Sequence, residues 1–389
     1  MGKLVLKIAG SEWKNASRDV RELRVCEALG MDVLVLAKGE PGDRMKPDTV
    51  QGFRVLRLGT KPLGAKVPKK LNQMASLLFW AGYAAKCDPD IISGHDIPGT
   101  FIGYLAACSM KKKPKLVYDS HEFEIERSGR RGKLAKFVVK HLERFLMKRC
   151  ALSIMVNDSI AEKVQEIHRL AEKPVVVRNI PPLWQVDEAV CKAQRARFLQ
   201  ELSLPEDTFL LMYHGGVMKN RGVESLIEQV RRNPHTAGIV LGNGEEAYIA
   251  ELKSLAEQAG VRNRVLFHPA VPQPELWKYV GAADVGMVTV QNSCASYYYM
   301  LPNKFFENIQ SLTPIIGSDF PEVKKSIDQY QIGLTCDPSD MEAMEVCIET
   351  MRTDHDFYAR CKENLQKAKA DLNWEKERKV LENAYKALA

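Results

Sequence analysis

The chain has 389 residues, 45% of them hydrophobic and 27% charged, a length and balance that predict about two domains with cores of their own and exclude wholesale disorder. Its nine cysteines are odd in number and show no C-x-x-C spacing, which speaks against a disulfide framework or a zinc knuckle and suits a reducing, cytoplasmic setting. The net charge of +7 is uneven: residues 1–180 hold 33 Lys/Arg against 20 Asp/Glu, and residues 181–389 hold 23 against 29, so an anionic partner is expected on the first half.

The opening MGKLVLKIAGSEWKN has a short apolar run interrupted by Lys7 and does not read as a secretory leader. Short β-branched runs then alternate with helical stretches. Residues 4–8, 33–36, 91–93, 116–118 and 153–156 read as strands, and residues 18–29 as a helix that stops at Gly30. The longest apolar stretch, residues 74–85, falls well short of the ~20 residues a spanning helix needs. From Arg127 to Arg149 the chain carries nine Lys/Arg and one Glu, with Leu134, Phe137, Val138, His141, Leu142 and Phe145 at helical spacing. Such a basic amphipathic helix either docks on anionic lipid or packs on a core with a solvated back. A stiff turn between Asn179 and Pro182 marks a hinge. The alternation restarts with strands at 209–213, 238–241, 265–267, 285–288, 314–316 and 334–336, helices at 223–232, 247–258 and 274–280, and a Lys/Glu-rich helical tail over 341–389. The expected fold class is α/β: two Rossmann-like, doubly wound parallel-sheet domains, 1–180 and 181–389, facing across a cleft that takes the ligand.

Three segments of the second domain carry chemistry. His214-Gly-Gly-Val-Met-Lys-Asn-Arg-Gly222 joins a strand to a helix; Gly215 and Gly216 let backbone approach a ligand, and Arg221 near a helix N-terminus suits a diphosphate. Gly242-Asn-Gly244 begins a G-x-G-x-x-A match, but the next strand ends at His268 with no acidic residue for a nicotinamide ribose, so a dinucleotide site is rejected. Leu301-Pro302-Asn303-Lys304 places a cation in the first turn of a helix, where it is unfavourable unless an anion lies there; Glu307, one turn on, is placed to accept ribose hydroxyls. Asp88-Pro-Asp90 reads as a turn entering a strand rather than a metal-binding D-x-D, and no other cluster has metal spacing, so metal-independent chemistry without a cofactor is expected. Basic residues without aromatic interleaving, zinc spacing or a helix-turn-helix do not read as a nucleic-acid interface.

These segments, with His95-Asp96 and Tyr118-Asp-Ser-His121-Glu122 in the first half, resemble the family-4 glycosyltransferases, most strongly over residues 209–321. The resemblance implies a GT-B fold and retaining transfer of a sugar from a nucleotide diphosphate-sugar, UDP before GDP, to an acceptor hydroxyl on a glycan or lipid-linked surface-polysaccharide intermediate. It implies His121, Arg221 and Lys304 as the catalytic set, with Arg221 in place of the family's diphosphate-binding lysine. It implies Gly215, Gly216, Gly242, Gly244, His268, Leu301, Pro302, Asn303 and Glu307 around the donor, and Tyr299 and Glu122 near its sugar. Two positions depart from the family: Tyr299 replaces the first glutamate of E-x7-E, and Gly216 replaces an arginine of the loop. A nucleotide-sugar epimerase on the same fold, or a non-catalytic nucleotide-sugar-binding partner protein, stays open as an alternative. Peripheral contact with the inner face of a membrane is expected through the 127–149 helix.

Overall fold

The computed structural model describes residues 2–13, 17–41, 43–64, 66–127 and 132–388. It divides into two units: residues up to Asn179 together with those from Arg378 on, and Ile180–Glu377.

The first unit runs β1 (Leu4–Ile8), α1 (Ser17–Ala28), β2 (Asp32–Lys38), β3 (Lys46–Val50), β4 (Phe53–Leu58), α2 (Lys69–Lys86), β5 (Ile91–His95), α3 (Asp96–Ser109), β6 (Lys115–Asp119), α4 (Lys133–Met147), β7 (Leu152–Met155), α5 (Asp158–His168) and β8 (Val175–Val176). Its sheet has the order β3-β4-β2-β1-β5-β6-β7-β8. All neighbours are parallel except β3 and β4, a hairpin at the edge that the alternating pattern did not announce. The central strands β1 and β5 bury both faces, which is why they read as near-continuous apolar runs. Close helix-on-strand packing needs glycine at two points: a Cβ on Gly94 would lie 2.3 Å from the Thr100 backbone, and one on Gly99 2.5 Å from the Ile8 carbonyl oxygen.

The second unit runs α6 (Glu188–Leu202), β9 (Phe209–His214), α7 (Val223–Arg232), β10 (Thr236–Leu241), α8 (Glu246–Gln258), β11 (Val265–His268), α9 (Leu276–Val280), β12 (Val285–Val288), α10 (Ala295–Tyr298), α11 (Asn303–Gln310), β13 (Ile315–Ser318), α12 (Pro321–Tyr330), β14 (Gly333–Cys336), α13 (Met341–Thr353) and α14 (His355–Asp371). The last helix, α15 (Trp374–Lys386), begins in this unit and ends in the first. Here the six-stranded sheet is wholly parallel, ordered β11-β10-β9-β12-β13-β14. The order reverses beside β9, so the chain leaves β9 and β12 for opposite sides and opens a crevice at their carboxyl ends.

The expected second domain of 181–389 therefore needs correction at its end. Leu381, Tyr385 and Leu388 form an apolar stripe that is buried in the first unit. Tyr385 donates to Glu22 of α1, and Lys115 of β6 donates to the Leu388 carbonyl (2.8 Å). The tail's abundance of Lys and Glu hid that stripe. No described helix is long and apolar enough to cross a membrane; residues 74–85 lie inside α2. The nine cysteines are free thiols.

Candidate functional site

In the second unit β9 ends at His214 and the chain turns through Gly215, whose φ of +109° is a conformation side chains with a Cβ rarely adopt. The Gly215 N–H donates to the Leu241 carbonyl (3.0 Å) and the Val217 N–H to the Asn243 carbonyl (2.9 Å), so the loops after β9 and β10 lie side by side. Gly242 and Gly244 make that approach possible: a Cβ on Gly242 would stand 1.8 Å from the Gly215 carbonyl oxygen, and one on Gly244 2.3 Å from that of Val217. These two glycines thus serve loop-on-loop packing. Gly216 is different, exposed, with only Met218 Sδ, at 3.9 Å, near where a Cβ would stand.

Two cations converge beside this loop. Gly222 (φ +95°) precedes α7 and packs so tightly on Thr289 that a Cβ would lie 2.5 Å from its carbonyl oxygen. That contact anchors the backbone next to Arg221, whose guanidinium carbon sits 4.3 Å from the centre of the Tyr297 ring. Lys304, in the first turn of α11, is 7% exposed, and its Nζ lies 3.6 Å from the centre of the Tyr213 ring. Neither Lys304 Nζ nor Arg221 Nε has a hydrogen-bond partner. Burial, reinforced by the neighbouring Arg221 guanidinium and only partly opposed by Glu307, holds the Lys304 pKa well below the usual lysine range. An aromatic face attracts a cation but does not neutralise it, so the pair is a pocket of uncompensated positive character.

Glu307 follows one turn after Lys304 and lies 3.1 Å, through Oε2, from His214 Nε2. His214 is buried and its Nδ1 is unpartnered. Pro302 precedes α11 without offering a side-chain cap. Leu301 packs against the cluster of Phe305, Phe306 and Ile309. Tyr299 closes α10 and stands edge-on to Tyr298, 5.0 Å between ring centres. His268 stands apart from the cations: its ring faces Tyr279 (5.2 Å) and Phe198 (6.4 Å), and its Nδ1 pairs with the Pro269 carbonyl (2.8 Å). Its backbone carbonyl, which accepts from Gly242 N–H (2.9 Å), is what supports the loop.

In the first unit the carboxyl edge of the sheet carries a second cluster. His95 ends β5, and Asp96 follows with φ +53°, buried, accepting from the His121 N–H (2.9 Å). The His95 and His121 rings face each other at 3.9 Å. His95 Nδ1 meets Asp19 Oδ1 at 3.2 Å, and His121 Nε2 meets Asp119 Oδ2 at 3.0 Å. Beneath them Lys7 is completely buried, with Nζ at 2.5 Å from Glu22, 3.1 Å from Asp119 and 3.2 Å from Asp19. Arg18 adds a 2.8 Å contact to Asp119. Burial would raise the Asp119 carboxyl, but Arg18, Lys7 and His121 outweigh it and hold it well below the usual carboxylate range. Burial likewise opposes the charged form of His95, yet the Asp19 hydrogen bond and charge raise its pKa. Glu122 lies at the surface of this cluster, paired with Arg127 (3.2 Å).

Lys7, Asp19 and Asp119 were not singled out from the sequence, although a lysine inside an apolar strand run is the signal that finds them. Tyr213 and His214, at the end of β9, and Tyr297, in α10, escaped as site residues because aromatic and histidine positions beside apolar runs ordinarily read as core.

Of the basic segment, residues 128–131 lie outside the described residues. Residues 133–147 of it form α4: of the expected stripe, Leu134, Phe137, Val138 and His141 face outward and Leu142 and Phe145 are half-buried, whereas the buried apolar residues of the helix are Leu146 and Met147.

Two consecutive parallel-sheet units with a cation-lined crevice at the carboxyl ends of one sheet define the GT-B class of glycosyltransferases. Residues 21–180 match the family model described as Glycosyltransferase Family 4, and residues 194–368 the one described as Glycosyl transferases group 1. The chain belongs to this glycosyltransferase family. Over 101 residues it is 34% identical to D-inositol 3-phosphate glycosyltransferase of Xylanimonas cellulosilytica, covering 25% of this chain and 24% of that protein. Over 163 residues it is 28% identical to lipopolysaccharide core biosynthesis glycosyltransferase LpsE of Rhizobium meliloti, covering 42% and 45%. The matched stretches thus span less than half the length of these curated relatives. Among solved structures, sucrose-phosphate synthase from Thermosynechococcus elongatus superposes with a TM-score of 0.76 at 18% identity, and HepE of Anabaena in complex with UDP and glucose with 0.74 at 15%; both cover 99% of each chain. At these identities the likeness carries the fold alone.

Proposed function

We propose that the protein transfers a sugar, with retention of anomeric configuration, from a nucleoside diphosphate-sugar to an acceptor hydroxyl. One observation carries this reading: Arg221 and Lys304, two neighbouring cations seated on aromatic faces beside a glycine-rich turn, with Glu307 one turn beyond. A diphosphate supplies the negative charge the pair lacks, and the α11 N-terminus adds backbone donors to it. When the glycosidic bond breaks, charge grows on the leaving diphosphate, and preorganised cations stabilise that charge most. In metal-dependent enzymes a bound cation performs this task; here Arg221 and Lys304 take it, and turnover is expected to persist in EDTA. Glu307, held by His214, takes the ribose hydroxyls.

UDP is the first choice of nucleotide and GDP the second. The first unit is assigned to the acceptor, with His121 and His95 contacting sugar hydroxyls. The LpsE relative, named for lipopolysaccharide core biosynthesis, and the basic first half support a lipid-linked or surface-polysaccharide acceptor, met in the cytoplasm at the inner face of a membrane.

Thermal-shift titration with UDP, GDP, NAD and inorganic phosphate tests the donor site. A ligand at ~100 times its dissociation constant adds ~2.7 kcal/mol to folding stability. A shift with UDP or GDP but not NAD supports the reading, and hydrolysis or transfer from the matching nucleotide-sugar, followed by NMR of the anomeric proton, tests retention. No shift with either nucleotide overturns it.

A further inference from the structure

Arg221 is aimed by its surroundings. Its Nε has no hydrogen-bond partner and its guanidinium rests on the Tyr297 ring, so the place of its charge depends on how the backbone at residue 221 and the helix bearing Tyr297 are held. One residue holds both. The Gln291 N–H donates to the Asn220 carbonyl (3.0 Å), one residue before Arg221, and the Gln291 carbonyl accepts from the Ser293 N–H (2.8 Å), in the turn that leads into α10 and Tyr297. The backbone on either side of Arg221 is left-handed, with φ +66° at Asn220 and +95° at Gly222. A left-handed residue other than glycine persists only where its neighbours fix it, and the Gln291 N–H is such a fixture.

The Gln291 side chain sets where that backbone stands. Its Nε2 donates to the Pro338 carbonyl (2.7 Å), in the turn after β14, and to Ser225 Oγ (3.2 Å), in the first turn of α7. A carbonyl can only accept, so this end of the amide is the nitrogen, and both of its hydrogens are used. The two residues before it are held as well: Ser318 Oγ, at the end of β13, donates to the Val290 carbonyl (2.8 Å), and Thr289 carries the packed Gly222. Residues 289–291, which continue β12, thus join α7, β13 and the turn after β14 at the carboxyl ends of the strands. Glutamine suits the junction because it donates twice and carries no charge; a carboxylate of the same shape would donate nothing.

We propose that Gln291 is a positioning residue of the diphosphate site: by tying the Arg221 loop and the approach to α10 to one junction, it holds the Arg221 guanidinium over Tyr297 where a diphosphate is met. It acts through Arg221, and the role rests on the donor reading given above.

The test is calorimetric binding of UDP and of inorganic pyrophosphate to the full chain carrying Gln291→Met, which keeps the length of the side chain and removes both donors, or Ser225→Ala, which removes one acceptor. Gln291→Met should weaken both ligands by a common factor of about ten, the scale of one or two hydrogen bonds, and Ser225→Ala by a smaller common factor. In an Arg221→Met background, Gln291→Met should cost no further affinity, a dependence that a general loss of stability would not show. Trypsin gives a reading without ligand: with the junction weakened, cleavage after Arg221, located by mass spectrometry, should quicken in the ligand-free variant. Given a wild type that binds UDP, any of four results overturns the role alone: Gln291→Met binding both ligands as the wild type does, a loss for UDP that spares pyrophosphate, a loss that persists without Arg221, or cleavage after Arg221 no faster than in the wild type. A wild type that binds neither UDP nor pyrophosphate overturns the donor reading and this role with it.

Discussion

Lys304 Nζ lies 3.6 Å from the centre of the Tyr213 ring, buried and without a hydrogen-bond partner. A buried lysine with no hydrogen-bond partner, beside a second cation and only partly offset by Glu307, costs folding free energy that an anionic ligand can return. Lys304→Met should therefore raise the unfolding temperature of the ligand-free protein while weakening UDP binding at least tenfold, a trade typical of binding residues. Thermal unfolding with and without UDP checks both halves; a variant that is less stable and binds UDP as well as the wild type would remove Lys304 from the site.

The same lysine predicts proton-linked binding. Its pKa is depressed in the empty site, so it is deprotonated over a window reaching from that depressed value up to the ordinary lysine range near 10.4. A diphosphate favours the ammonium form and raises the pKa. Within the window, binding takes up a proton, and affinity falls as pH rises; below the depressed value the lysine is already charged and the linkage vanishes. Calorimetry of UDP-glucose binding at one pH in buffers of different ionisation enthalpy should give a positive proton uptake that Lys304→Met abolishes.

Glu307 and His214 give a prediction that separates ribose from phosphate. Glu307→Gln keeps the shape but weakens acceptance of two hydroxyl hydrogens, each hydrogen bond to a charged group being worth ~1.5–3 kcal/mol. UDP affinity should fall about tenfold to a hundredfold while inorganic pyrophosphate binds unchanged. His214→Ala, which frees the Glu307 carboxylate without removing it, should show the same pattern more weakly. Equal losses for UDP and pyrophosphate would place Glu307 against the phosphates instead.

The alternation of strands and helices was legible because buried parallel strands must be apolar on both faces; β1, β9 and β12 stand out for that reason. The β3–β4 hairpin did not, since Lys46–Val50 lies exposed at the edge and carries no apolar pattern. Lys304 was legible through a violated rule, a cation in a first helical turn. What it sits on, Tyr213, was not, because the contact joins residues 91 positions apart and no local pattern encodes it. The Gly242-Asn-Gly244 motif was visible, but the loop packing it serves was not: a Cβ at either glycine would clash with the Gly215 or Val217 carbonyl, a need that sequence alone cannot distinguish from ligand approach. The returning C-terminal helix was hidden in the same way, by a Tyr385–Glu22 bond spanning most of the chain.

Lys7 supplies the last prediction, on stability. It is completely buried among Asp19, Glu22 and Asp119, and removing one partner of a buried ion cluster leaves charge uncompensated, at a cost of ~3–5 kcal/mol. Lys7→Met should therefore destabilise the first unit strongly at pH 7, read as a lowered urea midpoint. The sign of the pH dependence follows from the carboxylates. Lys7 is among the groups that depress Asp19 and Asp119, so their stabilising contribution is complete above the unfolded value of ~3.9 and is lost as pH falls toward their native values. Without Lys7 these carboxyls protonate at higher pH, and protonation relieves the unpaired charge. The gap between wild type and Lys7→Met should accordingly narrow between pH 7 and pH 4, as measured by urea unfolding across that range; a gap that stayed constant would mean Lys7 acts by packing rather than by charge.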